Sequence, residues 1–340
     1  MHPFEMTRAL IDMESITENE GQVGEYLHRY LSTLAARSNG TAEAMPVAAG
    51  RINVCAAWGT PKVVMSTHMD TVPPFIASSE DGEFIYGRGA CDAKGIIAAM
   101  IAAAEKLLTG GTRNFGLLFV VGEERNSAGA EAAAKSPRGT RYLINGEPTE
   151  SKLALGSKGI LRYEIVANGR MAHSAYPHLG ESAIEKLLDA LDAVRRMPLP
   201  EDPVLGKTTV NIGTISGGRA PNIIPDAARA ELAIRIVSDA KVVDRALREA
   251  VADRAEVREI LALPAMRFAS LDGIPSSVVA FTTDIPVLSP AWGEPYLFGP
   301  GSIHVAHTTG EKIAKQELLA SVDIYMRMTQ TLLQRVEAPA

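Results

Sequence analysis

Four short runs in the first half of the chain, INVCAAW, KVVMST, FGLLFVV and RYLIN, are aliphatic or β-branched over strand length, the pattern of strands buried on both faces. Between the second and third lies KGIIAAMIAAAEKLL, rich in alanine and leucine and free of proline, which reads as a helix buried on more than one side. Strand, helix, strand in that order calls for an α/β fold, a central sheet flanked by helices. Residues 4–35 read as helical ahead of it.

The pattern changes after Gly156. ILRYEIVA, a helix from Glu181 to Met197, TTVNIGTI, RAELAIRIV, a helix from Ala240 to Ala252 and VREILA follow in β-α-β-β-α-β order. That order is the ferredoxin-like arrangement, which closes a small α+β domain on its own. Segments rich in proline and glycine at 198–206 and 217–225 supply its turns. From about Ala265 a strand near YLFGPG and a helix from Gly310 to Arg335 need the first domain to pack against. The expected organisation is a catalytic domain in two parts, 1–156 and 265–340, with a lid or dimerisation domain inserted at 157–264.

Composition narrows the function by exclusion. With 340 residues, 46% of them hydrophobic, the chain can build a substantial core. A net charge of -6 without a long basic run offers no footprint for nucleic acid. The longest apolar and glycine stretch, Gly95 to Ala104, falls well short of the roughly 20 residues of a membrane span. The N-terminal residues carry acids where a secretion signal needs an apolar run, so a cytoplasmic location is expected. Cys55 and Cys91 are too few for a disulfide framework and are read as thiols, Cys91 as a packing residue. No G-x-G-x-x-G or phosphate loop follows a strand.

Chemistry gathers at the strand ends. VVMSTHMDTV places His68 and Asp70 just past a buried strand, where open α/β sheets collect their ligands. Two residues apart on extended chain, they point the same way, so Asp70 can hold the far nitrogen of His68 for a metal. By itself H-x-D equally describes an ordinary hydrogen-bonded pair. In IYGRGACDAKG, Asp92 opens a helix, where an acid serves as cap or as ligand. FVVGEERNSAG delivers Glu123 and Glu124 side by side, which face opposite ways on extended chain, so one can bind metal and the other act as general base. LINGEPT adds Glu147 after a further strand. YLFGPGSIHVAHTTGEKI offers His304 and His307, of which only one need be a ligand. His2 and His28 are read as surface or helix-packing residues. Imidazole and carboxylate donors of this kind suit zinc, with cobalt or manganese as alternatives.

In that order, STHMDTVP, GRGACDAKG, GEERNSAG, NGEPT and AHTTGE resemble the motifs of the dinuclear-zinc family that includes acetylornithine deacetylase, succinyl-diaminopimelate desuccinylase and glutamate carboxypeptidase. The resemblance spans nearly the whole chain. It implies that His68 and Glu147 complete the shell of one ion and Glu124 and His307 that of a second. Asp92 then bridges, Asp70 orients His68, Glu123 is the general base and the Asp92–Ala93 peptide is cis. It also implies a homodimer through the inserted domain, with His173 reaching a partner's site to hold the oxyanion, and Asn222, Arg235 and Gly301 contacting substrate. Within a strand, Arg235 also admits a structural salt bridge. Ala93 stands where the family more often has methionine, and the chain is compact for the family. Both traits resemble the branch that frees lysine or ornithine from a carrier protein.

The expected activity is therefore hydrolysis of the amide of an N-acyl amino acid, acetylornithine or acetyl-lysine first, with a carrier-protein conjugate as a further substrate. A dipeptidase or carboxypeptidase with the same metals is the alternative within hydrolysis. A catalytically silent metal-binding protein is the alternative outside it.

Overall fold

The computed structural model describes residues 1–337. The chain divides into two compact units, one of Met1–Leu155 with Phe268–Ser277 and the segment from Thr283 onward, the other of Gly156–Arg267 with Val278–Thr282.

The first unit is built on a mixed sheet whose strands run in the order Thr41–Ala48, Arg51–Trp58, Phe115–Val120, Val63–His68, Tyr142–Asn145, Glu294–Leu297 and Leu153–Ser157. The four strands from Phe115–Val120 to Glu294–Leu297 are mutually parallel, whereas Arg51–Trp58 and Thr41–Ala48 add on antiparallel. Side chains alternate across a strand, so each central strand feeds two cores. Met65, Leu117, Phe119 and Ile144 pack on the side of the helices Pro3–Ile11, Gly21–Arg37, Lys94–Thr109 and Lys315–Glu337, with Leu10, Leu27, Ile97 and Tyr325. Val64, Leu118, Val120 and Leu143 pack on the other side with Leu288 and Trp292 of the helix Ile285–Trp292. Helices on both faces explain why these strands are apolar throughout rather than alternating.

Several local expectations are corrected. The N-terminal helical stretch is two helices, because residues 12–20 leave the helix, form an isolated bridge from Ile16 to Thr71, and donate Ser15 Oγ to the Met69 carbonyl at 2.8 Å. The edge strand Thr41–Ala48 was not expected: in its sequence TAEAMPVA only Met45 is buried, and Thr41, Glu43, Pro46 and Ala48 are exposed. The last helix begins at Lys315, since Lys312–Ala314 is taken up as a strand beside Phe84–Tyr86.

The second unit is a four-stranded antiparallel sheet in the order Thr209–Gly217, Ala227–Ile236, Gly159–Asn168, Glu256–Leu263. Its core joins Leu161, Tyr163, Ile165, Leu232 and Ile234 to Leu187, Leu191 and Leu247 of the helices Ala183–Arg196 and Ala240–Val251. Both helices start on a side-chain cap, Ser182 to the Glu185 N–H and Asp239 to the Lys241 N–H. Elements follow in β-α-β-β-α-β order. No helix among the described residues is long and apolar enough to cross a membrane.

Candidate metal centre

Each parallel strand of the first unit ends on a residue of the cluster or a short step before one. His68 is the last residue of Val63–His68, Glu123 and Glu124 follow Phe115–Val120, Glu147 follows Tyr142–Asn145, and the loop with His307 follows Glu294–Leu297. Asp92 comes from the turn that opens the helix Lys94–Thr109.

These side chains converge. His68 Nε2 lies 3.0 Å from Asp92 Oδ1 and 4.0 Å from Glu147 Oε2. His307 Nε2 lies 3.3 Å from Asp92 Oδ2 and 3.1 Å from Glu124. Each oxygen of Asp92 thus faces one imidazole, and each imidazole has a glutamate of its own. One donor atom each from His68, Asp92 and Glu124 lie within 4.8 Å of one another, close enough to share an ion. Both C-terminal histidines are exposed, but it is His307 that meets the carboxylates, while the backbone N–H of His304 bonds to Ser302 Oγ at 3.3 Å. The His307 backbone is left-handed, with φ 62°. The Asp92–Ala93 peptide is cis.

Asp70 plays a broader part than its spacing suggests. The nearest acceptor of His68 Nδ1 is the backbone carbonyl of Asp70 at 3.0 Å, and the Asp70 carboxylate stands 3.6 Å away. That carboxylate accepts the backbone N–H of Glu123 at 3.1 Å, that of Glu124 at 3.2 Å and the hydroxyl of Thr17 at 2.8 Å. It therefore fixes the loop that presents both glutamates. Asn53 grips the same loop, accepting the Val121 N–H at 3.1 Å and donating to the Gly129 carbonyl at 2.7 Å.

The electrostatics show what the cluster lacks. Burial, reinforced by the charge of Glu147, pushes the Glu123 carboxyl well above its usual range. Burial likewise raises Glu124 and Glu147. Burial opposes charge on His68, but its bonds to Asp70 and Asp92 outweigh that and raise its pKa well above normal. Bonds to Asp92 and Glu124 push His307 up to about 10. Asp284, buried at the start of Ile285–Trp292, is pushed up to about 6 by burial. Carboxylates crowded out of water in this way call for cationic charge beyond two imidazoles, and divalent ions supply it. The donor set fits such ions.

Sequence reasoning did not single out Thr17, Asn53, Arg88, Asp284 or Glu311. Arg88 and Glu311 stand inside motifs quoted for their neighbours, where a charged residue next to glycine was the available signal. Glu311, 1% exposed, accepts the N–H groups of Gly89 at 2.9 Å and Asp92 at 3.2 Å and pairs with Arg88 at 2.6 Å. Gly301, at φ 89°, leaves no room for a side chain, since a Cβ would stand 2.5 Å from that of Cys91.

In the second unit, His173 pairs with Ile223 in a short antiparallel ladder, and the carbonyl of the adjoining Asn222 accepts the Ser174 N–H at 3.0 Å. His173 Nδ1 accepts the Ala175 N–H at 3.1 Å, which leaves Nε2 to carry the proton of the neutral ring. Arg235 lies opposite Thr209 and Ile160 on its strand. Its buried NH1 has no hydrogen-bond partner among the described residues.

Residues 64–331 match the description of peptidase family M20/M25/M40. A peptidase M20 domain-containing protein of Schizosaccharomyces pombe is 39% identical over 94% of this chain and 82% of its own. A protein of Aspergillus oryzae described as a probable carboxypeptidase is 37% identical over 96% of this chain and 87% of its own. Among solved structures, an aminopeptidase of Bacillus cereus superposes with a TM-score of 0.82 at 21% identity, covering 98% of each chain, a likeness of fold.

Proposed function

The chain belongs to peptidase family M20/M25/M40 and is a metal-dependent hydrolase of peptides or amides, and from that premise we propose that it cleaves the linear amide preceding an amino acid with a free α-carboxylate. Short peptides are the favoured substrates, in the manner of a carboxypeptidase or dipeptidase. The observation that carries the hydrolytic reading is Asp92 set between His68 and His307, with a glutamate beside each histidine and Glu123 next in the chain.

In this reading His68, Asp92 and Glu147 would hold one ion and His307, Asp92 and Glu124 a second, with Asp92 serving both. Zinc suits the donors best, and cobalt or manganese also fit. Ions held there would supply polarisation of the substrate carbonyl and a bound water of lowered pKa. Glu123 takes the proton of the attacking water and returns it to the leaving amine, a task suited to a buried carboxyl whose pKa lies above its ordinary value. Asp70 keeps Glu123 and Glu124 in register through their backbone N–H groups.

Residues of the second unit complete the proposal. His173, with Nε2–H free to donate, holds the oxyanion of the tetrahedral intermediate. Arg235 and Asn222 grip the substrate carboxylate, and Gly301 lets substrate approach the backbone. The unpaired buried nitrogen of Arg235 supports this over a structural salt bridge. We assign the second unit to a homodimer in which His173 serves the partner's site. In support, Met171, Tyr176 and Leu179, flanking His173, are 45%, 58% and 57% exposed.

A second reading is an N-acyl amino acid deacylase, with which Glu147 is equally compatible; it includes acetylornithine and acetyl-lysine and, on the resemblance carried by Ala93 and the compact chain, carrier-protein conjugates of lysine or ornithine. Hydrolysis rates across dipeptides, C-terminally amidated peptides and acetyl, succinyl and glutamyl amino acids, each with zinc, cobalt or manganese, decide between the readings. Peptide hydrolysis abolished by amidation supports the first. Turnover indifferent to the carboxylate but dependent on a free N-terminus overturns both.

A further inference from the structure

Behind the bridging position sits a charge pair that the chemistry above leaves without a task. Arg88 and Glu311 are 2% and 1% exposed, so both charges have been withdrawn from water. An apolar pair of similar volume commonly serves stability as well or better at such a place. Stability alone is thus a weak reason for the pair, and its bonding pattern points elsewhere.

Glu311 spends one oxygen, Oε1, on the backbone of the turn that carries Asp92, accepting from Gly89 at 2.9 Å and from Asp92 itself at 3.2 Å. Its other oxygen takes Arg88 NH1 at 2.6 Å. The same guanidinium nitrogen donates to the carbonyl of Thr308 at 3.2 Å, the residue after His307. The Glu311 backbone carbonyl accepts the Gly87 N–H at 3.1 Å, closing the pair from the other side. Two segments some two hundred residues apart in sequence, one presenting Asp92 and the other His307, are joined by the ladder of Phe84–Tyr86 with Lys312–Ala314 and tied again beside the site through this ion pair. The gap it spans is the one where Asp92 Oδ2 stands 3.3 Å from His307 Nε2.

We propose that Arg88 and Glu311 are positioning residues that set Asp92 against His307, and so govern retention of the ion assigned to His307, Glu124 and Asp92 rather than the one on His68. This rests on the two-ion reading above. Neither residue touches substrate in this role. The side of the site held by His68 has its own supports, since His68 ends a central strand and Glu147 follows another.

The full-length chain, dialysed against buffered zinc at the lowest free concentration that saturates it, is compared by elemental analysis with Arg88→Met, Glu311→Gln and the double variant. The parent is expected to hold two ions per chain. Each folded variant is expected to hold one at that concentration, the second binding at least ten-fold more weakly and the first within about three-fold of the parent. Removing both charges in the double variant is expected to recover thermal stability lost in Glu311→Gln without recovering the second ion, a split that a merely structural role does not give. Two ions bound at parental affinity in a folded variant, equal weakening of both ions, or a double variant that no longer folds would each overturn the proposal. A parent that binds fewer than two ions counts against the two-ion reading instead.

Discussion

Glu123 and Glu124 are neighbours with different surroundings, and that difference is where the chemistry is decided. Glu124 meets His307 at 3.1 Å, whereas on the carboxyl of Glu123 burial acts foremost, followed by the charge of Glu147. Glu123→Ala is expected to retain metal and lose about 10²- to 10⁴-fold in turnover; near-normal turnover in a metal-loaded variant would sink the general-base role. The histidines make a prediction about pH. His307 has its pKa pushed up to about 10, so in metal-free protein its protonation contributes stability that is fully present below about 6.5, the ordinary value, and fades as pH rises through 10. Metal-free protein should therefore melt at a lower temperature at pH 9 than at pH 6.5, and zinc binding at neutral pH should release protons. Calorimetry in buffers of different ionisation enthalpy checks the second point, and absence of proton release contradicts it. At this scale strand ends and a helix entry pointed to His68, Asp92, Glu123, Glu124 and Glu147, although each signal alone equally fits an ordinary pair or cap, and their convergence shows only in the folded chain. It was least legible for Asn53 and Thr17, whose roles exist only through backbone groups distant in sequence.

The element that most needs outside support is the loop between Val120 and the short helix Ala128–Ala134. Gly122 and Ser127 both adopt positive φ, at 82° and 53°, and the loop's register depends on Asp70 from one side and Asn53 from another. Asn53 is fully buried, so Asn53→Leu strands the Val121 N–H and the Gly129 carbonyl. A cost of about 1–3 kcal/mol per orphaned group is expected, together with a fall in turnover larger than any rise in KM. Unchanged melting and unchanged turnover would show that the clamp is dispensable. Elements with a continuous apolar run, the strands Arg51–Trp58, Val63–His68, Phe115–Val120 and Tyr142–Asn145 and the helix Lys94–Thr109, could be read directly from the sequence. Thr41–Ala48 could not, because one exposed face and a single buried methionine resemble a loop until the neighbour Arg51–Trp58 is in place. The break at residues 12–20 was hidden for the converse reason: tertiary bonds from Ser15 and Thr17 to Met69 and Asp70 determine it, not local propensity.

For the whole molecule, the crowded carboxylates couple metal loading to stability. Chelation is expected to lower the melting temperature, and saturating zinc to restore it in proportion to the logarithm of free zinc, the linkage expected of a ligand that binds only the folded chain. A melting temperature insensitive to chelator would argue that no ion contributes. Overall architecture was legible because β-α order and strand length constrain it, whereas the place of the late strand in the sheet was not. Glu294–Leu297 lies between Tyr142–Asn145 and Leu153–Ser157, pairing with the first in parallel and touching the second at Leu297 and Ala154. On the ribosome, then, the sheet must wait with an open slot along Tyr142–Asn145 until well over a hundred further residues have been made. Until that strand arrives, the apolar edge is free to pair with another nascent chain, and a product stopped before Glu294 should accumulate in aggregates rather than as a smaller soluble fold.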